Sequence, residues 1–219
     1  AGVAGGTAFM WNLSQGFEIL PPELVANNSA MTRNGQWMTV QYDANRNGIA
    51  QAALRSSNGA VVSLGDVAKK GDTCGGSSES GEDSTYGWAV DDTGQKAVGT
   101  AYVDRDGQCQ SPYKSEIVPF IWDAKRGIRE LDTSTLPMDE LPWVRAHAIS
   151  GNGEVVLGTS NFQYALAWVK EGKAINLTER YGASSSVNAV SADGHRVAID
   201  LVDQNTYQGK GVALWDYAT

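Results

Sequence analysis

The chain is poor in the residues that most often announce a chemical function. It has only two histidines and two cysteines. No Cys-x-x-Cys or Cys/His grouping occurs, which excludes a structural zinc site of the usual spacing. Gly-x-Ser-x-Gly, His-Glu-x-x-His and phosphate-binding glycine loops are also missing. Apolar runs stop at about five residues, far short of a membrane span. No helical periodicity lasts beyond a turn. Seventeen Lys and Arg face 25 Asp and Glu, a net charge of −8, so the basic footprint of a nucleic-acid binder is absent. An acidic balance of this size fits a solvated, extracytoplasmic surface. Six prolines accompany 25 glycines, and the glycines therefore need an explanation from turns. The chain opens at Ala1-Gly2, without an initiator Met or a signal-type apolar stretch. A processed mature domain or a piece of a longer protein is expected.

What is present is a repeat. Four segments align on a turn glycine: NSAMTRNGQWMTVQYD (28–43), GWAVDDTGQKAVGTAY (87–102), AHAISGNGEVVLGTS (146–160) and VNAVSADGHRVAID (187–200). Each has small or apolar residues, a polar turn ending in Gly35, Gly94, Gly153 or Gly194, and then an alternating strand. Tight hairpins need a positive φ there, which glycine adopts without a side-chain penalty. A second hairpin alternates with the first: AFMWNLSQGFEIL (8–20), AALRSSNGAVVSLG (52–65), PFIWDAKRGIREL (119–131) and ALAWVKEGKAINL (165–177), with Gly16, Gly59, Gly127 and Gly172 in register. VALWDYAT (212–219) begins a fifth copy. Trp11, Trp122, Trp168 and Trp215 share one repeat position, which Arg55 takes in the second copy. Such tryptophans are expected to pack between units.

Two hairpins per unit predict an all-β chain. The expected fold is a β-propeller of about four four-stranded antiparallel blades, with N- and C-terminal strands closing the ring in one blade. A single domain over 1–219 is expected, with units near 8–51, 52–118, 119–164 and 165–211, and 212–219 starting a fifth. A sandwich of unrelated hairpins would give short strands without matched glycines and tryptophans.

The segments TAFMW, VPFIW, YALAW and GVALW, paired with hairpins such as AISGNGEVVLGTS, resemble the HAF repeat of bacterial extracellular proteins. The resemblance covers nearly the whole chain in short, degenerate copies. The His of the repeat is absent from every copy, and the second copy lacks the Trp. The resemblance implies an exported, propeller-like domain with no established activity. WD40 propellers are the weaker alternative, suggested by Trp122-Asp123 and Trp215-Asp216.

Antiparallel order puts the glycine turns at one end of the strands and the long, polar connections at the other. The long-loop end is the expected working surface, because loops on a rigid scaffold carry function. Its candidate ligand-binding residues are Tyr86, Trp88, Tyr113, Trp143, Tyr164, Tyr181 and Tyr207, whose rings suit stacking on sugars or gripping a peptide. Capping of the strand ends would use the same rings. Cys74 and Cys109 lie in two long loops at this end, which predicts a disulfide, with two thiols as the alternative. DANRNG (43–48) matches the start of a calcium loop, with Asp43, Asn45 and Asn47 as oxygen ligands. Leu54 stands where the closing Glu belongs, and an ordinary turn accounts for the same residues. No catalytic residues and no other cofactor are expected.

The sequence thus points to a secreted, surface-exposed or periplasmic binding or adhesion module. Its partner would be a glycan or a protein, with no nucleic acid and no membrane insertion by this chain. An extracellular hydrolase or lyase with a funnel site built around His147, or a ligand-free spacer of a larger surface protein, are the alternatives.

Overall fold

The computed structural model describes residues 2–4, 7–12, 16–25, 29–43, 51–67, 85–103, 116–137, 143–160, 164–181, 184–203, 206 and 208–217. They form five antiparallel sheets in chain order. The first holds β1 (Gly2–Ala4), β2 (Thr7–Asn12) and β3 (Gly16–Ile19). The second holds β4 (Leu24–Val25), β5 (Trp37–Tyr42), β6 (Gln51–Ser56) and β7 (Val61–Ser63). The third holds β8 (Thr85–Val90), β9 (Lys96–Val103), β10 (Glu116–Asp123) and β11 (Gly127–Glu130). The fourth holds β12 (Val144–Ile149), β13 (Val155–Ser160), β14 (Tyr164–Val169) and β15 (Ile175–Asn176). A short helix, α1 (Leu177–Tyr181), leads to the fifth, with β16 (Ser184–Val190), β17 (Arg196–Val202) and β18 (Gly209–Asp216). In every sheet, strands adjacent in sequence are adjacent in space.

Each of the three middle sheets buries one face against the sheet before it and the other against the sheet after it, while the first and last sheets each bury one face. Between the first and second lie Leu20, Leu24, Met38, Val40 and Ala53. Ala52, Leu54, Ala97, Ala101 and Phe120 fill the next layer, and Val98, Ile121, Val156, Leu166 and Trp168 the one after. The fourth layer holds Leu157, Ala167, Val197, Ile199 and Trp215. The central strand β13 is therefore buried at all six positions, reading VVLGTS rather than alternating apolar and polar. In β17, by contrast, Val197 and Ile199 are buried while Ala198 and Asp200 are only half-buried.

The turns form a connected lattice at one end. Ser150 Oγ donates to Asn152 Oδ1 at 2.6 Å, Thr32–Asn34 and Ser191–Asp193 repeat the pattern, and Thr93 Oγ1 donates back to Asp91 in the opposite sense. Neighbouring turns then bond to one another: the Asp92 amide to the Gly151 carbonyl at 3.0 Å, and the Asn152 amide to the Ala192 carbonyl at 2.9 Å. Arg33 pairs with Asp92 to tie the second sheet's turn into the same series.

Three features were not visible in the sequence pattern. The chain termini do not share a sheet: β1 pairs with β2 in register Gly2↔Phe9 to Ala4↔Thr7, giving the first sheet a third strand of its own. Three residues, Gly-Val-Ala, are too short for a periodic signal, so the sequence showed only two strands there. The sheets also combine hairpins one step out of phase with the repeat units, joining 28–43 to 52–65 in the second sheet. Finally, Gly172 is not the positive-φ residue of its turn. Lys170 (φ 51°) and Glu171 (φ 58°) take that conformation instead, and the Gly172 amide closes the turn on the Val169 carbonyl at 2.9 Å.

Candidate functional site

The first strands of the third, fourth and fifth sheets each carry one residue more than the strand they pair with. The register shifts between Gly87 and Ala89, between Ala146 and Ala148, and between Val187 and Ala189. The bulged residues are Trp88, His147 and Asn188. A bulge re-aims its side chain away from the regular pleat. Here each one bonds to the residue twelve positions on, in the second strand. Trp88 Nε1 donates to Thr100 Oγ1 at 3.0 Å, His147 Nε2 and Thr159 Oγ1 share a bond of 2.9 Å, and Asn188 Nδ2 donates to Asp200.

This repeated lock brings two bulged residues of adjacent sheets together. The Trp88 and His147 rings meet edge to face, with centroids 5.4 Å apart at 76°. Tyr86 precedes Trp88 by two positions, and Arg145 and Trp143 precede His147 by two and four. The Trp88–His147 contact joins the two strands, with Tyr86 on β8 and Arg145 and Trp143 leading into β12 towards the loop end. Tyr86 also stacks edge-on against Tyr102, centroids 5.8 Å apart. Tyr102 pairs with Ile117, and Ile117 bridges to Trp143, whose side chain is 48% exposed. The result is an aromatic strip with one guanidinium, running from the loop end of β8 and β12 towards the turns.

Burial, with a smaller contribution from the Arg145 charge, brings the His147 imidazole down to about 4. At neutral pH the strip thus offers a neutral imidazole. Aromatic faces can stack on sugar rings or apolar side chains.

The sequence-derived residues fall into three groups. Tyr86, Trp88 and Trp143 come together in the strip. Tyr164 does not: it starts β14 opposite Ser160 and packs against the core between the third and fourth sheets. Tyr113 and Tyr207 lie outside the described residues, as does the side chain of Tyr181. Cys74, Cys109, Asn45 and Asn47 are outside them as well, so neither the disulfide nor the calcium loop has a described geometry. Asp43 is half-buried, its amide bonded to the Glu23 carbonyl at 2.9 Å. Among the described residues, no three His, Cys, Asp or Glu side chains group to hold a metal ion. Sequence reasoning missed Tyr102 and Arg145. Their signal lies in register, since each sits two positions from a residue of the strip or diagonally across from one.

The turn end carries a second polar cluster, of a different kind. Glu171 accepts hydrogen bonds from Arg126 (2.7 Å) and Arg129 and lies 3.2 Å from Lys96 Nζ, so the fourth sheet's turn is clamped by cations of the third. Burial opposes its ionisation, but these donors outweigh it and bring the carboxyl down to about 2. Every strong partner is already engaged, which makes this a structural clamp rather than a reactive site.

No family model matches the chain, and no curated protein matches it. Solved structures do match in fold. An acylaminoacyl peptidase from Pyrococcus horikoshii aligns with TM-score 0.60 at 10% identity, over 96% of this chain and 33% of that one. A prolyl endopeptidase aligns at 0.57 and 9% identity, over 96% of this chain and 31% of its own. The β-propeller domain of the Trilobed protease from Pyrococcus furiosus aligns at 0.51 and 12% identity, over 97% of this chain and 62% of that domain. This chain thus spans about a third of the length of the two peptidases. At these identities the likeness concerns the fold alone: an all-β array of antiparallel sheets similar to a propeller domain.

Proposed function

We propose that the chain is a propeller-type binding or adhesion module of an exported protein, related to HAF-repeat proteins, and that its ligand is a glycan or a protein segment held at the loop end of the third and fourth sheets. The observation that carries this reading is the contact of Trp88 with His147. It joins the first strands of the third and fourth sheets, β8 and β12, beside Tyr86 and Trp143. A strip of rings on bulges locked to the neighbouring strand is pre-organised, which lowers the entropy lost on binding.

Glycan and peptide arrays probed with the whole chain test the proposal. Trp143→Ala or Tyr86→Ala should weaken binding at least tenfold while the fold is retained. Silent arrays, together with cell attachment unaffected by both substitutions, would sink it. A second reading, an extracellular hydrolase or lyase, draws support from the fold likeness to peptidase chains. Turnover of a peptide or glycan library that is lost in His147→Gln would favour it over binding alone.

A further inference from the structure

Wherever a preceding sheet is present, the repeat's tryptophan position on the third strand packs against it. Trp122 packs on the layer with Ala52 and Leu54 of the second sheet. Trp168, fully buried, shares its layer with Val98 and Ile121 of the third. Trp215 shares one with Leu157 and Ala167 of the fourth. Arg55, which takes the position in β6, reaches back to Glu18 and to Met10 Sδ of the first sheet. Trp11 occupies the same place in β2, yet it is 52% exposed. Register pairs Trp11 with Phe17 and Phe9 with Ile19, so these four side chains share one face. Phe17 and Ile19 are each 73% exposed, and the Phe9 and Phe17 rings lie 5.5 Å apart.

The last sheet displays the reciprocal surface. In β17 and β18, Val197, Ile199, Ala213 and Trp215 turn towards the fourth sheet, and their alternates Ala198, Asp200, Val212 and Leu214 turn away. Val212 is 66% and Leu214 71% exposed. The positions that correspond to Ala198, Val212 and Leu214 in the fourth sheet are Leu157, Ala165 and Ala167, all buried where the fifth sheet docks. The first sheet therefore carries the incoming half of a contact used throughout the molecule, and the last sheet carries the receiving half.

We propose that the occupant of the Phe9–Trp11–Phe17–Ile19 face is the β17–β18 face of a second copy of this chain, docked head to tail. Both faces stand exposed on the same molecule, and a second copy supplies the complement of each. The contact is heterologous: a pair of copies keeps one incoming and one receiving face, so assembly extends or closes into a ring.

Sedimentation velocity of the 219-residue chain from low micromolar to submillimolar concentration tests this. The sedimentation coefficient should rise with concentration. Trp11→Ser and Val212→Lys, both at exposed positions, should each weaken association at least tenfold with unchanged circular dichroism. The decisive sample is an equimolar mixture of the two variants. Each retains one intact face of opposite kind, so the mixture should form dimers and nothing larger. A chain that stays monomeric at every concentration overturns the proposal, whether Trp11 is open to acrylamide quenching or shielded by the chain's own last sheet. Association that survives both substitutions, or a mixture that stays monomeric, overturns it equally.

Discussion

His147 is held in the folded chain with its imidazole at about 4, against about 6.5 for an unperturbed histidine. The unfolded chain therefore takes up a proton first as pH falls, and the stability contributed by the neutral, buried ring is complete above about 6.5 and lost on the way down to 4. Urea midpoints measured across this window should decline by up to about 3 kcal/mol of unfolding free energy, and His147→Phe should flatten that decline. Glu171 acts lower on the scale. Its folded carboxyl lies at about 2, so its contribution is complete above the ordinary carboxylate range and disappears as pH drops from about 4.5 to 2. The backbone beneath that carboxylate is strained: Lys170 and Glu171 both have positive φ. Lys170→Gly should raise stability by about 0.5–1 kcal/mol, because it relieves the positive φ while keeping the backbone amide bond to the Glu154 carbonyl at 2.7 Å. The sequence drew attention to Gly172 instead, since it stands in register with other turn glycines. A cluster of cations from the neighbouring sheet, invisible in local pattern, favours Glu171 in the left-handed position.

At the scale of strands, Gly99 and Gly158 sit opposite the bulges, and a side chain on either would strike the main-chain carbonyl of Tyr86 or Arg145 and the ring of Phe120 or Trp168. Gly158→Ala should therefore cost about 2 kcal/mol or more, read as a lower urea midpoint, because neither a carbonyl in a paired strand nor a fully buried ring can move aside. The hairpins themselves were legible: glycines such as Gly35, Gly94, Gly153 and Gly194 have φ near +70° and close the expected turns. The bulges were not. An extra residue in one strand leaves the apolar pattern on both sides intact, so Trp88, His147 and Asn188 read as ordinary strand positions. For the same reason the candidate site was only partly visible. Tyr86, Trp88 and Trp143 were marked as aromatic, but their convergence follows from register between sheets. Tyr164, marked by the same criterion, belongs to the core.

At the scale of the molecule, five sheets stack through four apolar layers, each made by neighbours in the chain. Such an array loses protection from its ends inwards. Amide exchange should be slowest in β9, β13 and β14, which have neighbours on both faces, and fastest in β1–β3. Uniform exchange across all strands would contradict the stacking. Repetition was plain in the sequence, while the number of sheets was not, because the first and last contain three strands each and the missing partners leave no mark on the strands that remain. One property of the turn lattice bears on how such a chain can change over time. At the turn end the first turns of the third, fourth and fifth sheets are bonded in series, Asp92 to Gly151 and Asn152 to Ala192, so an inserted residue there disturbs two units at once. At the opposite end, connections between paired strands differ widely in length, from 161–163 between β13 and β14 to 104–115 between β9 and β10, while both strand pairs keep an unbroken register. Insertion and deletion are thus steered to one pole of the molecule, and diversification can proceed there without renegotiating the frame.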